Sequence, residues 1–285
     1  MKLNTFKLLS LGERYLTKRD VASPRVNSEK LLQHVLCREK RSDLYLRHNI
    51  DTFSRQNIKG YFSLLRKRGD GYPLQYITRR VDFLDCNLKV HEGVFIPRPE
   101  TELLVLEALK RLGGENVRTV LDIGTGSGNI AISLAYYLPQ VEVLAVDVSD
   151  KALALARDNA VSNGVYERIE FLKSDGFSNI SNDRKFDLII SNPPYIASCE
   201  LYSLDKEIHA EPVEALSDGY DGLSFYRKII YNAAPFLSKR GLIAFEIGSN
   251  QAAAVWDILE ENGFVDIEVY KDYCGFDRVI IAERG

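Results

Sequence analysis

From Thr119 to the carboxyl end, short apolar runs alternate with stretches of helical length, and no other feature of this 285-residue chain restricts its fold so tightly. The runs are Val120 to Ile123, Val143 to Val148, Ile169 to Leu172, Phe186 to Ser191, Leu242 to Ile247, Ile267 to Tyr270 and Val279 to Ala282. Near-continuous aliphatic runs describe strands buried on both faces, and strands separated by helices describe βαβ units. The expected fold is therefore α/β, an open and mostly parallel sheet with helices on both sides. Only Lys271 to Arg278 separates the last two runs. That is too short for a crossover helix, so those two strands are expected to pair antiparallel.

The first run opens into Asp122-Ile123-Gly124-Thr125-Gly126-Ser127-Gly128. Its glycines let the backbone turn sharply and come close to a ligand. A dinucleotide fingerprint places its third glycine where this chain has Asn129, and there is no Gly-Lys-Ser/Thr phosphate loop. The Gly-x-Gly-x-Gly spacing suits a nucleoside ligand with no pyrophosphate to cradle. S-adenosylmethionine (SAM) is such a ligand, with cationic amino and sulfonium groups that favour the Asp122 carboxylate. Asp147 ends the second run at about the 20-residue distance at which an acid receives ribose hydroxyls. Asp175, after the third run, is expected near the adenine.

The fourth run ends in Ser191-Asn192-Pro193-Pro194-Tyr195. Residues before proline are held extended, so Asn192 and Pro193 leave the strand stretched. The prolines lack N–H groups, which leaves the Asn192 and Pro193 carbonyls free of a local turn and beside the Asn192 side-chain oxygen. Two acceptors pointing the same way suit an NH₂ group, and the Tyr195 ring is flat enough to stack on a planar amide or base. An ordinary strand-ending turn is the other reading, because Asn-Pro is common turn punctuation.

The region before Thr119 is different in kind. Ser23-Pro24 has the form of a helix start, with a capping hydroxyl and a first-turn proline. Val26, Leu31, Leu32, Val35 and Leu36 follow at helical spacing, and Asp51 to Arg68 repeats the pattern until Gly69-Asp70-Gly71 stops it. A small helical bundle over residues 1–80 is the expected first domain. Alternation through Phe83, Leu88, Val90, Val94 and Ile96 then suggests a hairpin or linker over residues 81–98, with the α/β domain over 99–285. Residues 1–80 carry 18 Lys/Arg against 7 Asp/Glu, and the remainder 19 against 33, so a formal charge of −3 hides a basic and an acidic part. The basic part reads either as a grip on a macromolecule or as a well-solvated helical surface.

Apolar content of 45% with 27% charge fits a globular protein and argues against disorder. Lys2, Lys7, Glu13 and Arg14 interrupt the apolar residues of the first stretch, so no signal-peptide core is expected, and no apolar run approaches membrane-spanning length. Cys37, Cys86, Cys199 and Cys274 lie far apart, as do His34, His48, His91 and His209. Neither a disulfide framework nor a metal site is expected, and a reducing cytoplasm is the natural home.

With both motifs in hand, the chain closely resembles the release-factor glutamine methyltransferases, over nearly its whole length. The resemblance rests on Pro73-Leu74-Gln75-Tyr76-Ile77, Ile96-Pro97-Arg98-Pro99-Glu100-Thr101-Glu102, the glycine turn, Asn192 to Tyr195, Glu211-Pro212 with Ala215-Leu216, Asp221-Gly222-Leu223, and Gly275-Phe276-Asp277-Arg278. Two positions depart from the family pattern. Arg79 or Arg80 stands where a glycine is usual, and Gly176, followed by Phe177, stands where a bulky aromatic often lies beside the adenine.

The resemblance implies a Rossmann-like, SAM-dependent methyltransferase sheet and a peptide chain release factor as protein substrate, methylated on the side-chain amide of the glutamine in its Gly-Gly-Gln loop. It implies Asn192, Pro193 and Tyr195 as catalytic residues. Pro194, Arg98, Glu100 and Thr101 join them at the substrate, although helix capping is the simpler role for Thr101. The cofactor set becomes Asp122, Gly124, Thr125, Gly126, Ser127, Gly128, Asp147, Asp175, Gly176, Phe177 and Asn192. Glu246 and Asp277 stay open between structural pairing and support of the site.

An amide nitrogen is a poor nucleophile because its lone pair is delocalised, so positioning by the Asn192 oxygen and the Pro193 carbonyl is expected to carry most of the catalysis. One competing reading is a methyltransferase acting on an exocyclic amine of a nucleic-acid base, with the basic region holding phosphates. That region has no recognisable nucleic-acid module, so direct nucleic-acid binding is not expected. A non-catalytic SAM-binding regulator is the third reading, and the intact Asn192 to Tyr195 argues against it.

Overall fold

The computed structural model describes residues 4–38, 40–46, 53–112 and 118–285. Met1, Lys2, His48 and Asp51, each used in reading the sequence, lie outside them. The chain divides into two compact units, Met1–Arg80 with Asp205–Ala210, and Val81–Leu204 with Glu211–Gly285.

The first unit is helical: α1 (Thr5–Thr17), α2 (Pro24–Val35), α3 (Ser42–Leu46), α4 (Arg55–Gly69) and α5 (Leu74–Thr78). Leu8, Leu9, Leu16, Leu31, Leu32, Tyr61 and Leu65 form its core. The buried Tyr61 hydroxyl is satisfied by Ser28 Oγ at 2.6 Å. Glu29, 1% exposed, is held by Arg25 and Arg41, which keep its carboxyl below the usual range despite burial. Ser23 does not cap α2 through its hydroxyl. It sits at φ 49° with no side-chain cap bond, and the proline at the first turn sets the start instead. Val26, expected in the apolar stripe, is 43% exposed. The helix expected from Asp51 begins at Arg55, because Ser54 and Asn57 form a reciprocal capping box. Arg79 ends α5 in the left-handed region at φ 59°, the conformation glycine adopts without cost, which gives the departure from the family glycine a physical meaning.

The second unit opens with a hairpin, β1 (Arg80–Phe83) and β2 (Cys86–Lys89). Its Phe83, Cys86 and Leu88 enter this unit's core. Then come α6 (Pro99–Leu112), β3 (Thr119–Ile123), α7 (Asn129–Tyr137), β4 (Glu142–Asp147), α8 (Asp150–Ser162), β5 (Ile169–Lys173), β6 (Phe186–Ser191), α9 (Ser224–Ala233), β7 (Leu237–Glu246), α10 (Ala252–Glu261), β8 (Phe264–Lys271) and β9 (Asp277–Arg284). The sheet order is β5-β4-β3-β6-β7-β9-β8. The first five strands run parallel, and β9 is antiparallel to both β7 and β8.

Alternate residues of the central strands enter opposite cores, as the pleat requires. Val120, Leu188 and Ile190 pack with α6 and α7 on one face. Leu121, Ile189 and Phe245 pack with α9 and α10 on the other. Strands β7 and β8 begin earlier than their apolar runs. Arg240 and Asp266 take positive φ there and the register shifts next to Val265, so the apolar alternation starts only beyond these irregularities. No helix among the described residues is long and apolar enough to cross a membrane.

Candidate active site

The carboxyl ends of β3, β4, β5 and β6 open together into one cavity of about 370 Å³, which is where an open α/β sheet places its ligand. Gly124, Thr125, Gly126 and Ser127 form its floor, followed by Asp147, Asp175, Gly176, Asn192, Pro193 and Pro194. Gly124 has φ 74° and nothing within 4 Å of where a Cβ would stand, so a side chain there would project into open space. Gly128 has φ 85°, and a Cβ would meet Ile132 Cδ1 at 2.9 Å and Ala156 Cβ at 3.1 Å. The first glycine leaves room above the turn, and the third permits close packing beneath it.

Asp122 is 0% exposed and does not line the cavity. Its Oδ2 accepts the Thr125 hydroxyl at 2.6 Å and the Ala131 N–H at 3.2 Å, so it props the turn from below instead of facing a ligand. Its Oδ1 has no partner. Burial, with Asp147 nearby, pushes its pKa up to about 7, opposed by Thr125 and Ala131. A raised folded-state pKa means that the folded chain holds the proton over a range where the unfolded chain has lost it. Asp122 therefore lends most stability at low pH, and this is lost as pH rises through about 7. Asp122→Asn is expected to flatten the fall in stability between the ordinary carboxylate range and about pH 7, measured by denaturant unfolding across that range. An unchanged slope would show that Asp122 is not a buried titrating group.

Asp147 ends β4 at the cavity wall. Its Oδ2 accepts Gly126 N–H and its Oδ1 accepts Ser149 N–H, each at 2.9 Å, so the carboxylate fixes the glycine turn while lining the cavity. Burial raises its pKa, against those backbone donors. Asp175 is exposed at the rim and pairs with Lys228 at 2.6 Å. Gly176 lines the cavity. Phe177 does not, since its ring stacks on Phe236 at 4.7 Å in the core.

Asn192 lines the cavity, and its Nδ2 donates to Thr101 Oγ1 at 3.0 Å. Thr101 is fully buried in the first turn of α6 and does not cap it, because its hydroxyl is used by Asn192. Tyr195 donates its hydroxyl to Glu246 Oε1 at 3.2 Å. Its carbonyl accepts Gln251 Nε2 at 2.9 Å. Arg98 pairs through Nη2 with the buried Glu211, whose other oxygen accepts Ile96 N–H at 2.9 Å. Glu100 is exposed. Asp277 pairs with Lys271 at 2.6 Å on the terminal hairpin, whereas Glu246 belongs to the site.

The reading of single segments did not find Gln251, the anchoring role of Glu211, or the apolar wall given by Phe95, Phe225 and Ile229. Glu211-Pro212 was visible as a motif, and the partner it holds was not. Among the described residues no group of His, Cys, Asp and Glu is placed to hold a metal.

The sheet order and the cleft at its carboxyl ends define a methyltransferase fold. A methyltransferase from Pyrococcus furiosus superposes with a TM-score of 0.53 at 20% identity, covering 74% of this chain and 94% of that one. A 16S rRNA methyltransferase from T. thermophilus, in complex with AdoMet and guanosine, gives 0.53 at 22% identity over 72% of this chain and 50% of that one. Residues 87–221 match the family described as methyltransferase small domain, and residues 7–78 match the PrmC N-terminal domain.

The chain belongs to the release factor glutamine methyltransferase family. It is 39% identical to the Clostridium acetobutylicum member over 262 residues, 91% of each chain. It is 43% identical to the Thermodesulfovibrio yellowstonii member over 225 residues, 78% of this chain and 80% of that one.

Proposed function

We propose that this protein transfers a methyl group from SAM to the side-chain amide nitrogen of the glutamine in the Gly-Gly-Gln loop of peptide chain release factors. The observation that carries this reading is the orientation of Asn192. Its NH₂ is taken up by Thr101, so the atom it has left to offer is an acceptor, which suits an incoming NH₂ group.

The residues fit the cofactor. Gly124 leaves room over the turn, Asp147 brings a carboxylate to hydroxyl groups, and the Ser127 hydroxyl is buried without a partner of its own. When bound, SAM supplies an activated methyl group; the chain supplies binding and orientation. Asn192 Oδ1 and the Pro193 carbonyl each accept one N–H of the glutamine amide, which holds the nitrogen still and draws electron density onto it. Tyr195 walls the slot and excludes water. The nitrogen becomes acidic as it gains positive charge, so it sheds its proton without a strong base.

Several of the basic residues at 1–80, among them Lys18, Lys30, Lys59, Arg66 and Lys67, are exposed. We assign this unit to capture of the protein substrate, in the cytoplasm, without direct nucleic-acid or membrane binding.

The test offers labelled SAM to the purified protein together with intact release factor, ribosomal RNA and DNA. Label is expected on the release factor, at its Gly-Gly-Gln glutamine, and to weaken with rising salt, since exposed charges are screened over about 8 to 10 Å at physiological ionic strength. Label appearing on RNA or DNA instead would overturn the reading.

A further inference from the structure

The prolines that stretch the chain after β6 also deprive it of donors, since Pro193 and Pro194 have no N–H to give. Their rings fix φ, and Pro194 confines Pro193 to a range of extended ψ. Within that range, the direction of the Pro193 carbonyl depends on how the segment is held at its two ends. Upstream, Ser191 is paired with Ile123 and Phe245 in the sheet, and its Oγ donates to the Ile123 carbonyl at 2.7 Å. Downstream, the Tyr195 carbonyl accepts Gln251 Nε2 at 2.9 Å.

Gln251 stands just ahead of α10, and its side chain occupies space that two glycines leave open. Nε2 donates to the Gly222 carbonyl at 3.2 Å as well as to that of Tyr195, while Oε1 accepts Gly248 N–H at 2.9 Å. The amide fits in only one orientation, because the two carbonyls accept and the N–H donates. A Cβ on Gly222 would meet the Tyr195 oxygen at 2.3 Å and Gln251 Nε2 at 2.8 Å, and one on Gly248 would meet Gln251 Oε1 at 2.9 Å. Gly222 is held in turn by Asp218, whose Oδ1 accepts its N–H at 3.0 Å and whose Oδ2 accepts Ser224 N–H at 2.9 Å. The Tyr195 carbonyl is thus clamped between a braced loop and the start of a helix.

We propose that Gln251 is a positioning residue for methyl transfer. By holding the Tyr195 carbonyl against Gly222 it fixes the downstream end of the Pro193-Pro194 segment, and so aims the Pro193 carbonyl and the Tyr195 ring at the substrate amide. The inference rests on the reading of Asn192 to Tyr195 as the slot for that amide. Gln251 does not line the cofactor cavity, so it acts through Tyr195 and not on SAM. The opposite end of Tyr195 is tied separately, by its hydroxyl to Glu246 Oε1 at 3.2 Å.

The experiment measures kcat and KM for both substrates, with intact release factor, for the wild type, Gln251→Met, Gly222→Ala and the double variant. SAM binding is followed by calorimetry and folding by circular dichroism. Gln251→Met keeps the bulk and loses the amide, while Gly222→Ala drives the Tyr195 carbonyl away from the other side. Each is expected to lower kcat about 10- to 100-fold, the loss that a displacement of about 1 Å produces at a reacting centre, with SAM affinity little changed. Both substitutions act on one carbonyl, so the double variant should be little worse than the worse single variant. Two independent losses would multiply instead.

Near-normal kcat in Gln251→Met would overturn the proposal. So would a loss confined to KM or to SAM affinity, or losses that multiply in the double variant. If Gln251→Met does not fold, Gly222→Ala decides the matter: a lowered kcat at unchanged SAM affinity supports the proposal and a normal kcat overturns it. A wild type that places no methyl on glutamine would overturn the substrate reading alone, and the variants would then be compared on the acceptor that does take label.

Discussion

Asn192→Ala is expected to lower methyl transfer to intact release factor about 100- to 1,000-fold, the usual loss when one preorganised polar group is removed from a reacting centre. The reason is local. The substrate nitrogen has two N–H groups to be held, and alanine removes one of the two acceptors while leaving the Pro193 carbonyl in place. The prolines keep the backbone extended in the variant, so the slot should persist in outline. SAM affinity should change little, because the turn at residues 124–127 and Asp147, which line the cavity, are untouched by the substitution. Single-turnover measurements on saturated enzyme separate the two effects: the loss should appear in the chemical step and not in KM for SAM. Near-normal turnover would remove Asn192 from the mechanism.

What the sequence made legible was set by short stretches of chain. The glycine turn and Asn192 to Tyr195 carry their own backbone restrictions, and the strands that position them are apolar runs. The antiparallel pairing of β8 and β9 followed from loop length alone. What stayed hidden depended on residues distant in sequence meeting in the fold. Thr101 looks like a capping residue because it stands in a first turn beside Pro99, and only the approach of β6 gives its hydroxyl another use. Asp122 looks like a ligand for cations, yet its place within β3 turns it inward under Thr125. Glu246 ends an apolar run and reads equally as half of an ion pair, until the Tyr195 hydroxyl is seen against it. Phe177 looked like an adenine neighbour, and packing against Phe236 claims its ring.

Asp147→Ala is expected to weaken SAM binding roughly 10- to 100-fold, since a hydrogen bond to a charged group contributes about 1.5 to 3 kcal/mol and at least one such bond to the ligand is lost. Alanine also strands the Gly126 and Ser149 N–H groups, which now meet Asp147 at 2.9 Å each, so the glycine turn loses its brace as well as the ligand its acceptor. Asp147→Asn separates these contributions. Its amide fills the same space and keeps one acceptor oxygen, but it turns an NH₂ toward one of the two backbone donors, so an intermediate loss is expected. The pH dependence provides a second check. Burial raises the Asp147 pKa and the carboxylate is the form that accepts hydroxyl groups, so wild-type affinity should fall as pH drops through that pKa. The asparagine variant cannot titrate and should lose this dependence. Calorimetry with SAM at several pH values, on variants shown by circular dichroism to be folded, makes the comparison. Unchanged affinity in Asp147→Ala would place the cofactor's hydroxyl groups elsewhere in the cleft.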